Sequence, residues 1–189
     1  MTSVIAAQID YWRGVRGMSA QRLADRTAEL GLPVARNTIA NLENGRRGSV
    51  SVAEVLVLAS ALNVPPIMLL LPIGRARDIE ITPGRPLPVG RAIGWFIGQP
   101  GWDGSHVDVP LDSWRDWSRA ASVIWRMQRH SRAVIGVLAA LEANTSTGAE
   151  RVHMQRRDLA EVRDEMRAAG EPLPDLPEGI LPEEVTTDP

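Results

Sequence analysis

The sequence predicts an all-α protein with five short N-terminal helices followed by a second, mainly helical region. Apolar residues recur at intervals of three and four along several segments, which is the spacing of one face of a helix. Glycines, prolines and Ser residues suited to helix N-termini separate those segments. Apolar residues form 44% of the 189-residue chain, which is enough for a hydrophobic core.

The first five helices are predicted to form one domain over residues 1–72. In the first helix, Val4, Ile5, Ile9, Trp12 and Val15 have helical spacing, and Gly17 stops it. The helices are expected at 2–16, 20–30, 35–44 and 52–62, with a last short one ending at Leu71. In the second helix Leu23, Ala24, Thr27 and Leu30 are expected to face inward.

The remainder of the chain divides by composition. Residues 73–88 are rich in Pro, Gly and Arg and are predicted to be a linker with a short extended piece at 78–82. A helical C-terminal domain is expected over 89–170, with helices at 89–98, 112–144 and 148–169, the second either continuous or broken near His130. Residues 171–189 form an acidic, Pro-rich tail that we expect to be extended or mobile.

Composition narrows the class of protein. The chain has no Cys, so disulfides and Cys-based zinc sites are excluded. No secretory signal is visible, and Asn63, Pro65 and Pro66 interrupt the most apolar stretch, which favours a cytoplasmic protein without a membrane span. All 21 basic residues are Arg, and outside the acidic tail they outnumber the acidic residues, which agrees with a nucleic-acid partner.

The segment Val34–Gly45 has the properties of a DNA-recognition helix. Ile39 and Leu42 lie one turn apart and are expected to face inward. Donors and acceptors on the outer face of such a helix can bind base edges in the major groove. The predicted base-reading residues are Arg36, Asn37, Ala40 and Asn41. Arg46 and Arg47 follow where the chain would leave along a phosphate strand.

The motifs at these positions resemble those of the XRE family, the lambda-repressor and Cro-like regulators. The residues that carry the resemblance are Met18-Ser19-Ala20-Gln21-Arg22-Leu23-Ala24 and Asn37-Thr38-Ile39-Ala40-Asn41-Leu42-Glu43-Asn44-Gly45-Arg46. The resemblance implies a five-helix helix-turn-helix domain over about residues 5–71, with 35–44 as recognition helix. The expected DNA-backbone contacts are Ser19, Gln21, Thr38, Asn44, Arg46 and Arg47. The turn through Ala28–Pro33 is longer than is usual, and Ala20 stands where the family usually has Gln.

A looser resemblance concerns the rest of the chain. The segment Ile79-Glu80-Ile81-Thr82-Pro83-Gly84-Arg85 resembles one that follows this domain in some actinobacterial regulators. A short DNA-binding domain with a helical C-terminal region is also similar to immunity repressors of mycobacteriophages. That similarity implies transcriptional repression, control of lysogeny and binding to operator sites in double-stranded DNA.

Two features of the C-terminal region have alternative interpretations. Apolar residues at helical spacing predict a core, or else a base-stacking platform; they are Trp114, Trp117, Ala121, Ile124 and Trp125. The acid-free stretch between Asp116 and Glu142 is either a solvated helix face or a second DNA contact. The arginines of that second contact are Arg119, Arg126, Arg129 and Arg132. Together with the linker they favour a monomer on an asymmetric site over a homodimer.

No enzymatic chemistry is predicted. The three His residues are far apart and lack metal-ligand spacing, and no nucleophile has a base near it in sequence. We therefore expect no catalytic residue, metal or cofactor. The function predicted is sequence-specific repression of transcription. The alternative is an antitoxin-like or other interaction protein whose C-terminal half binds a protein partner.

Overall fold

The computed structural model describes residues 1–99, 114–143 and 146–181, and within them the chain is mostly helical, as predicted. Two compact units are distinguished, Met1–Phe96 and Ile97–Pro189. The helices are α1 Thr2–Val15, α2 Ala20–Glu29, α3 Arg36–Glu43, α4 Val52–Leu62, α5 Ile67–Leu70, α6 Val89–Phe96, α7 Trp114–Ala143 and α8 Ser146–Ala168. The strands are β1 Asp78–Thr82 and β2 Arg85–Pro88.

Helices α1 to α5 enclose one core in the first unit. The ends of these helices follow from local chemistry: Gly17 has φ +59 after α1, and Asn63 takes a left-handed conformation after α4. Ser51 and Glu54 form a reciprocal capping box at the start of α4. The most deeply buried large side chains of this core are Ile9, Leu23, Ile39, Leu62 and Leu69. Leu30, expected to face inward, is exposed because it lies at the C-cap of α2, and Val15, the last residue of α1, is exposed as well.

The extended piece predicted at 78–82 is strand β1, but the rest of the linker prediction is wrong in part, because residues 78–88 form a β-hairpin that belongs to the first unit. Strands β1 and β2 pair antiparallel, with Ile79 opposite Leu87, and both of these side chains are buried. Helix α6 packs against both strands, so it too belongs to the first unit and not to the C-terminal domain. Before the hairpin, the Arg75 guanidinium lies 3.7 Å from the centre of the Tyr11 ring and donates a hydrogen bond to Gln8.

Helices α7 and α8 form the body of the second unit. Helix α7 runs through His130 without a break, which decides between the two alternatives for this segment. The small core between the two helices contains Ala133, Val137, Leu159, Val162 and Ile180. Of the predicted aromatic cluster, Ala121 is buried, Trp117 and Trp125 are partly buried, and Ile124 is exposed. The two Trp rings lie 6.4 Å apart, and the Trp114 side chain is outside the described residues.

Residues 171–181 are extended over most of their length, which is one of the two alternatives expected for the tail, and they pack along the second unit. Ile180 is fully buried in the α7–α8 core. Arg156 donates hydrogen bonds to the backbone carbonyls of Gly179 and Ile180, and Arg163 donates to the carbonyl of Pro174. The prolines suit an extended segment that is held by side chains instead of by its own backbone hydrogen bonds. The expectation for 182–189 lies outside the described residues.

Candidate nucleic-acid interface

The turn between α2 and α3 is held by a buried threonine. Thr27 Oγ1 donates to the carbonyl of Ala24 at 2.7 Å and accepts from the backbone N–H of Val34 at 2.9 Å. Thr27 and Val34 are both buried, so the Val34 N–H has no access to water. This pair of hydrogen bonds fixes where the chain enters α3.

Helix α3 divides into an inner and an outer face as predicted. Ile39 and Leu42 are buried in the core of the first unit. On the outer face Arg36, Asn37 and Asn41 are exposed. Ala40 is partly buried, because it lies between the two faces. The exposed face therefore presents one guanidinium and two carboxamides from the first two turns of an eight-residue helix.

An ion pair attaches the end of α3 to α1. Arg13 Nε donates to Glu43 Oε1 at 2.8 Å and Nη2 donates to Oε2 at 3.2 Å. The same guanidinium donates to the carbonyl of Met18 and to Asp10. The hydrogen bond with Glu43 is the largest cause that raises the pKa of Arg13, so the guanidinium stays charged.

Sequence analysis did not find Arg13. Its partner Glu43 is 30 residues away, and no local pattern joins the two positions. The only signal in the sequence was an acidic residue at the end of α3, whose last turn offers no basic partner. By fixing α1, the Met18 carbonyl and Glu43 together, Arg13 determines how α3 is presented.

The two arginines after α3 differ in their surroundings. Arg46 is exposed and forms no ion pair within the described part of the chain. Arg47, in contrast, donates to both carboxylate oxygens of Glu54, at 2.7 and 3.0 Å. These bonds from Arg47, with smaller contributions from Ser51, hold the pKa of Glu54 below its ordinary value. This arrangement does not favour the expected role of Arg47 as a phosphate contact, since its guanidinium already closes the loop onto α4.

The other predicted backbone contacts are mostly on the surface. Ser19 is the N-cap of α2 and accepts from the Arg22 N–H, which leaves its hydroxyl proton available. Gln21 donates to Asp25 at 2.8 Å, and Thr38 is partly buried on α3. Asn44 is the exposed C-cap of α3.

The loop after α3 is also tied to the start of the chain. Thr2 Oγ1 donates a hydrogen bond to the carbonyl of Gly48 at 3.0 Å. The loop that carries Arg46 is thus held by α1 through Thr2 and by α4 through Arg47. A loop fixed at both sides presents Arg46 with little loss of backbone entropy on binding.

The predicted second DNA contact on α7 is not assembled as expected. Arg126 Nε donates to both carboxylate oxygens of Glu171, at 3.0 and 3.1 Å. Arg129 makes ion pairs with Asp158, Glu161 and Glu165 of α8 at 2.7 to 3.2 Å. These acids were invisible to a reading of the α7 sequence alone, because α8 and the chain after it bring them to the arginines. The charges of Arg126 and Arg129 are therefore neutralised within the protein, Arg119 makes an exposed ion pair with Asp116 at 3.7 Å, and Arg132 is exposed.

Comparison with known proteins adds no relative. No family model matches the sequence, and no curated protein or solved structure matches it either. Among the described residues, no group of His, Cys, Asp and Glu side chains is arranged to hold a metal ion. In the same residues, no helix combines the length and the apolar character that crossing a bilayer requires.

Proposed function

We propose that this protein is a sequence-specific DNA-binding regulator of the helix-turn-helix type, with α3 as its recognition helix. The observation that carries the proposal is the outer face of α3. Arg36, Asn37 and Asn41 are exposed there above the buried Ile39 and Leu42. A short helix with a fixed inner face and polar outer residues near its N-terminus has the form required for entry into the major groove.

The chemistry of these side chains suits base edges. A guanidinium can donate two hydrogen bonds to O6 and N7 of guanine, and a carboxamide can both donate to and accept from adenine. Arg36 is proposed for the first contact and Asn37 and Asn41 for the second. Ala40 is small enough to contact a thymine methyl group. The ion pair of Arg13 with Glu43 supports this role, because pre-positioned groups lose less entropy on binding.

Contacts to phosphate are proposed for the residues around α3. Arg46 is the principal one, since its exposed charge follows the recognition helix directly. Ser19, Gln21, Thr38 and Asn44 are proposed as hydrogen-bonding groups that orient the domain on the duplex. Arg47 is excluded from this set because Glu54 holds its guanidinium.

The regulatory role is proposed to be repression. The resemblance of α2 and α3 to the XRE family supports binding to operator sites, where an occupied promoter excludes the polymerase. The chain also resembles immunity repressors of mycobacteriophages, so immunity repression in a bacteriophage is the form of repression that we propose. Double-stranded DNA is accordingly the proposed partner.

Selection from random duplex DNA by the full-length protein tests the proposal. We expect enrichment of one sequence motif, and Arg36→Ala should lose roughly 1–3 kcal/mol on that motif while relaxing the preference at one base position. Arg151→Ala, which removes an exposed arginine of α8, is the matched control and should leave binding unchanged. Absence of any enriched motif, or an equal loss on selected and random DNA in Arg36→Ala, contradicts the assignment.

A further inference from the structure

Helix α7 carries an apolar face that is largely exposed in the described chain, although the backbone at Gly98 lies against Ile124 at one end and Leu141 borders a pocket with α8 at the other. We call it the α7 stripe, and its residues are Ile124, Met127, Ser131, Ile135, Leu138 and Leu141. The five large apolar side chains of the stripe are all exposed, and Ile135 is the most exposed of them at 65%. At 100° per residue the stripe is centred roughly 130° around the helix from the side that packs on α8. It is thus a second apolar face of the same helix.

The second unit has little core without this face. Among the described residues, the buried cluster between α7 and α8 has five members, one of which, Ile180, comes from the chain after α8. Ala121, Ala140, Val152 and Met166 are also buried in this unit. Two antiparallel helices usually bury their remaining apolar surface in a larger helical assembly, of which the four-helix bundle is the simplest. A helix packed on the stripe would therefore cover the exposed apolar side chains and also enlarge the small core.

A groove on the stripe has the form of a hole for a side chain from another helix. It has a volume of about 400 Å³ and is lined by Met127, Gln128, Ser131, Arg132 and Ile135, with Gln99 beside them. Four of these positions, 128, 131, 132 and 135, have the spacing i, i+3, i+4 and i+7 along the helix. That is the diamond into which a knob from a facing helix packs. Ser131, the smallest residue of the stripe, lies in this diamond.

Four of the six positions of the stripe are symmetric about its middle. Ile124 and Leu141 are equally far from the point between positions 132 and 133, and so are Met127 and Leu138. A twofold interface requires a surface that is complementary to its own copy in reversed direction. In an antiparallel pair Ile124 of each copy meets Leu141 of the other, Met127 meets Leu138, and Ile135 enters the groove beside Ser131.

We propose that the α7 stripe is the dimerisation surface of this protein, with α7 of a second copy packed against it antiparallel to form a four-helix bundle. The stripe offers on the order of 400 Å² of apolar surface from its large side chains. The helix runs about 26 Å from Ile124 to Leu141, and flanking atoms along it add to this area. A standard interface buries ~800 Å² per partner, so the large side chains of the stripe supply about half of that area, which suits a weak dimer.

The proposed dimer differs from the expectation from sequence, which was a monomer that contacts DNA through both of its domains. That expectation relied on Arg126 and Arg129 as a second DNA contact, and both are paired with carboxylates. The dimer itself is independent of DNA binding, because it concerns the free protein. Failure of the DNA-binding proposal would therefore leave it standing, and the reverse holds as well.

Sedimentation equilibrium of the full-length protein tests the interface. We expect a monomer–dimer equilibrium between about 1 and 100 μM, where a modest interface of this size dissociates. Ile135→Glu with Leu138→Glu should raise the dissociation constant at least about tenfold, because charges are then buried without partners. Met154→Glu, which changes an exposed apolar residue of α8, is the matched control and should leave it unchanged. A monomer at every concentration, or equal effects of both changes, overturns the proposal.

Disulfide trapping tests the direction of the helices. The chain has no Cys, so Ile124→Cys and Leu141→Cys each introduce a single thiol. A mixture of the two variants should form the mixed disulfide on mild oxidation, since a disulfide requires Cβ atoms about 4 Å apart. Each variant alone should form little, because its own copies lie at opposite ends of the interface. Efficient coupling of either variant alone, or none in the mixture, overturns the antiparallel arrangement.

Discussion

The Thr27 hydroxyl accepts a hydrogen bond from the Val34 backbone N–H across the turn that precedes the proposed recognition helix. Both residues are buried, so the bond joins α2 to the start of α3 in a place without water. The same hydroxyl donates to the Ala24 carbonyl. One hydroxyl thus supplies the acceptor for the Val34 N–H in the turn and remains hydrogen-bonded to its own helix, α2.

Thr27→Val should destabilise the first unit. Valine keeps the shape of threonine but leaves the Val34 N–H buried without an acceptor, which costs about 1–3 kcal/mol. Urea unfolding of the full-length protein, followed by helical circular dichroism, measures the loss. Thr27→Ser is the control, since it retains the hydroxyl. If Thr27→Ser loses more stability than Thr27→Val, packing of the methyl group and not the hydrogen bond holds the turn.

The burial of Ile180 indicates that the chain after α8 is part of the fold of the second unit. Its side chain is fully buried between α7 and α8, so Ile180→Ala should lower the free energy of unfolding of the second unit by about 2–4 kcal/mol. The neighbouring Leu181 is exposed, and Leu181→Ala should change stability by less than about 0.5 kcal/mol. Thermal unfolding of both variants decides the matter. Equal stability of the two would show that residues 171–181 do not contribute to the core in solution.

Buried His130 makes the second unit sensitive to acid. Its Nε2 lies 3.0 Å from Arg163 Nη1, and burial followed by the charge of Arg163 lowers the pKa of His130 below its ordinary value of 6.5. Above pH 6.5 the imidazole is neutral in both the folded and the unfolded chain, and stability is unaffected. As the pH falls below that value the unfolded chain takes up the proton first, so stability declines toward the lowered folded pKa.

Urea unfolding at pH 7.5 and at pH 5 measures this effect, and the window stays above the pKa range of ordinary carboxylates, near 4. His130→Asn keeps an acceptor for Arg163 but cannot titrate, and it should lose the pH dependence. A wild-type protein of equal stability at both pH values, or a variant that keeps the full dependence, would contradict the role of His130.

Local sequence patterns predicted the elements that depend on neighbouring residues. Ile39 and Leu42 were placed inward and Arg36 and Asn41 outward because one helical turn decides both. The capping residues Ser19 and Ser51 were found for the same reason. These features need no knowledge of what lies across the fold.

Contacts between distant segments were missed. Arg13 pairs with Glu43, which is 30 residues away in sequence, and Arg126 pairs with Glu171, which is 45 residues away. The sequence around each arginine therefore indicated an unpaired positive charge, whereas the fold brings an acidic partner to it. The hairpin was hidden by its prolines: Pro86 and Pro88 weaken a strand assignment. In a two-stranded sheet each strand keeps a free edge toward which a residue without an N–H can point, and β2 is therefore tolerated.

Separate substitutions of Arg46 and Arg47 should distinguish an arginine that contacts DNA from one that stabilises the fold. Each phosphate contact contributes about 0.9 to the slope of log affinity against log salt. Arg46 is exposed, so Arg46→Ala should reduce the slope by about one unit and weaken all sequences alike. Arg47 is held by Glu54, so Arg47→Ala should leave the slope almost unchanged and instead lower the melting temperature of the first unit. Titrations of the selected duplex and of a random duplex, at several salt concentrations, measure the slopes. A slope change in Arg47→Ala equal to that in Arg46→Ala would mean that DNA displaces Glu54, and an unchanged slope in both would remove this loop from the DNA interface.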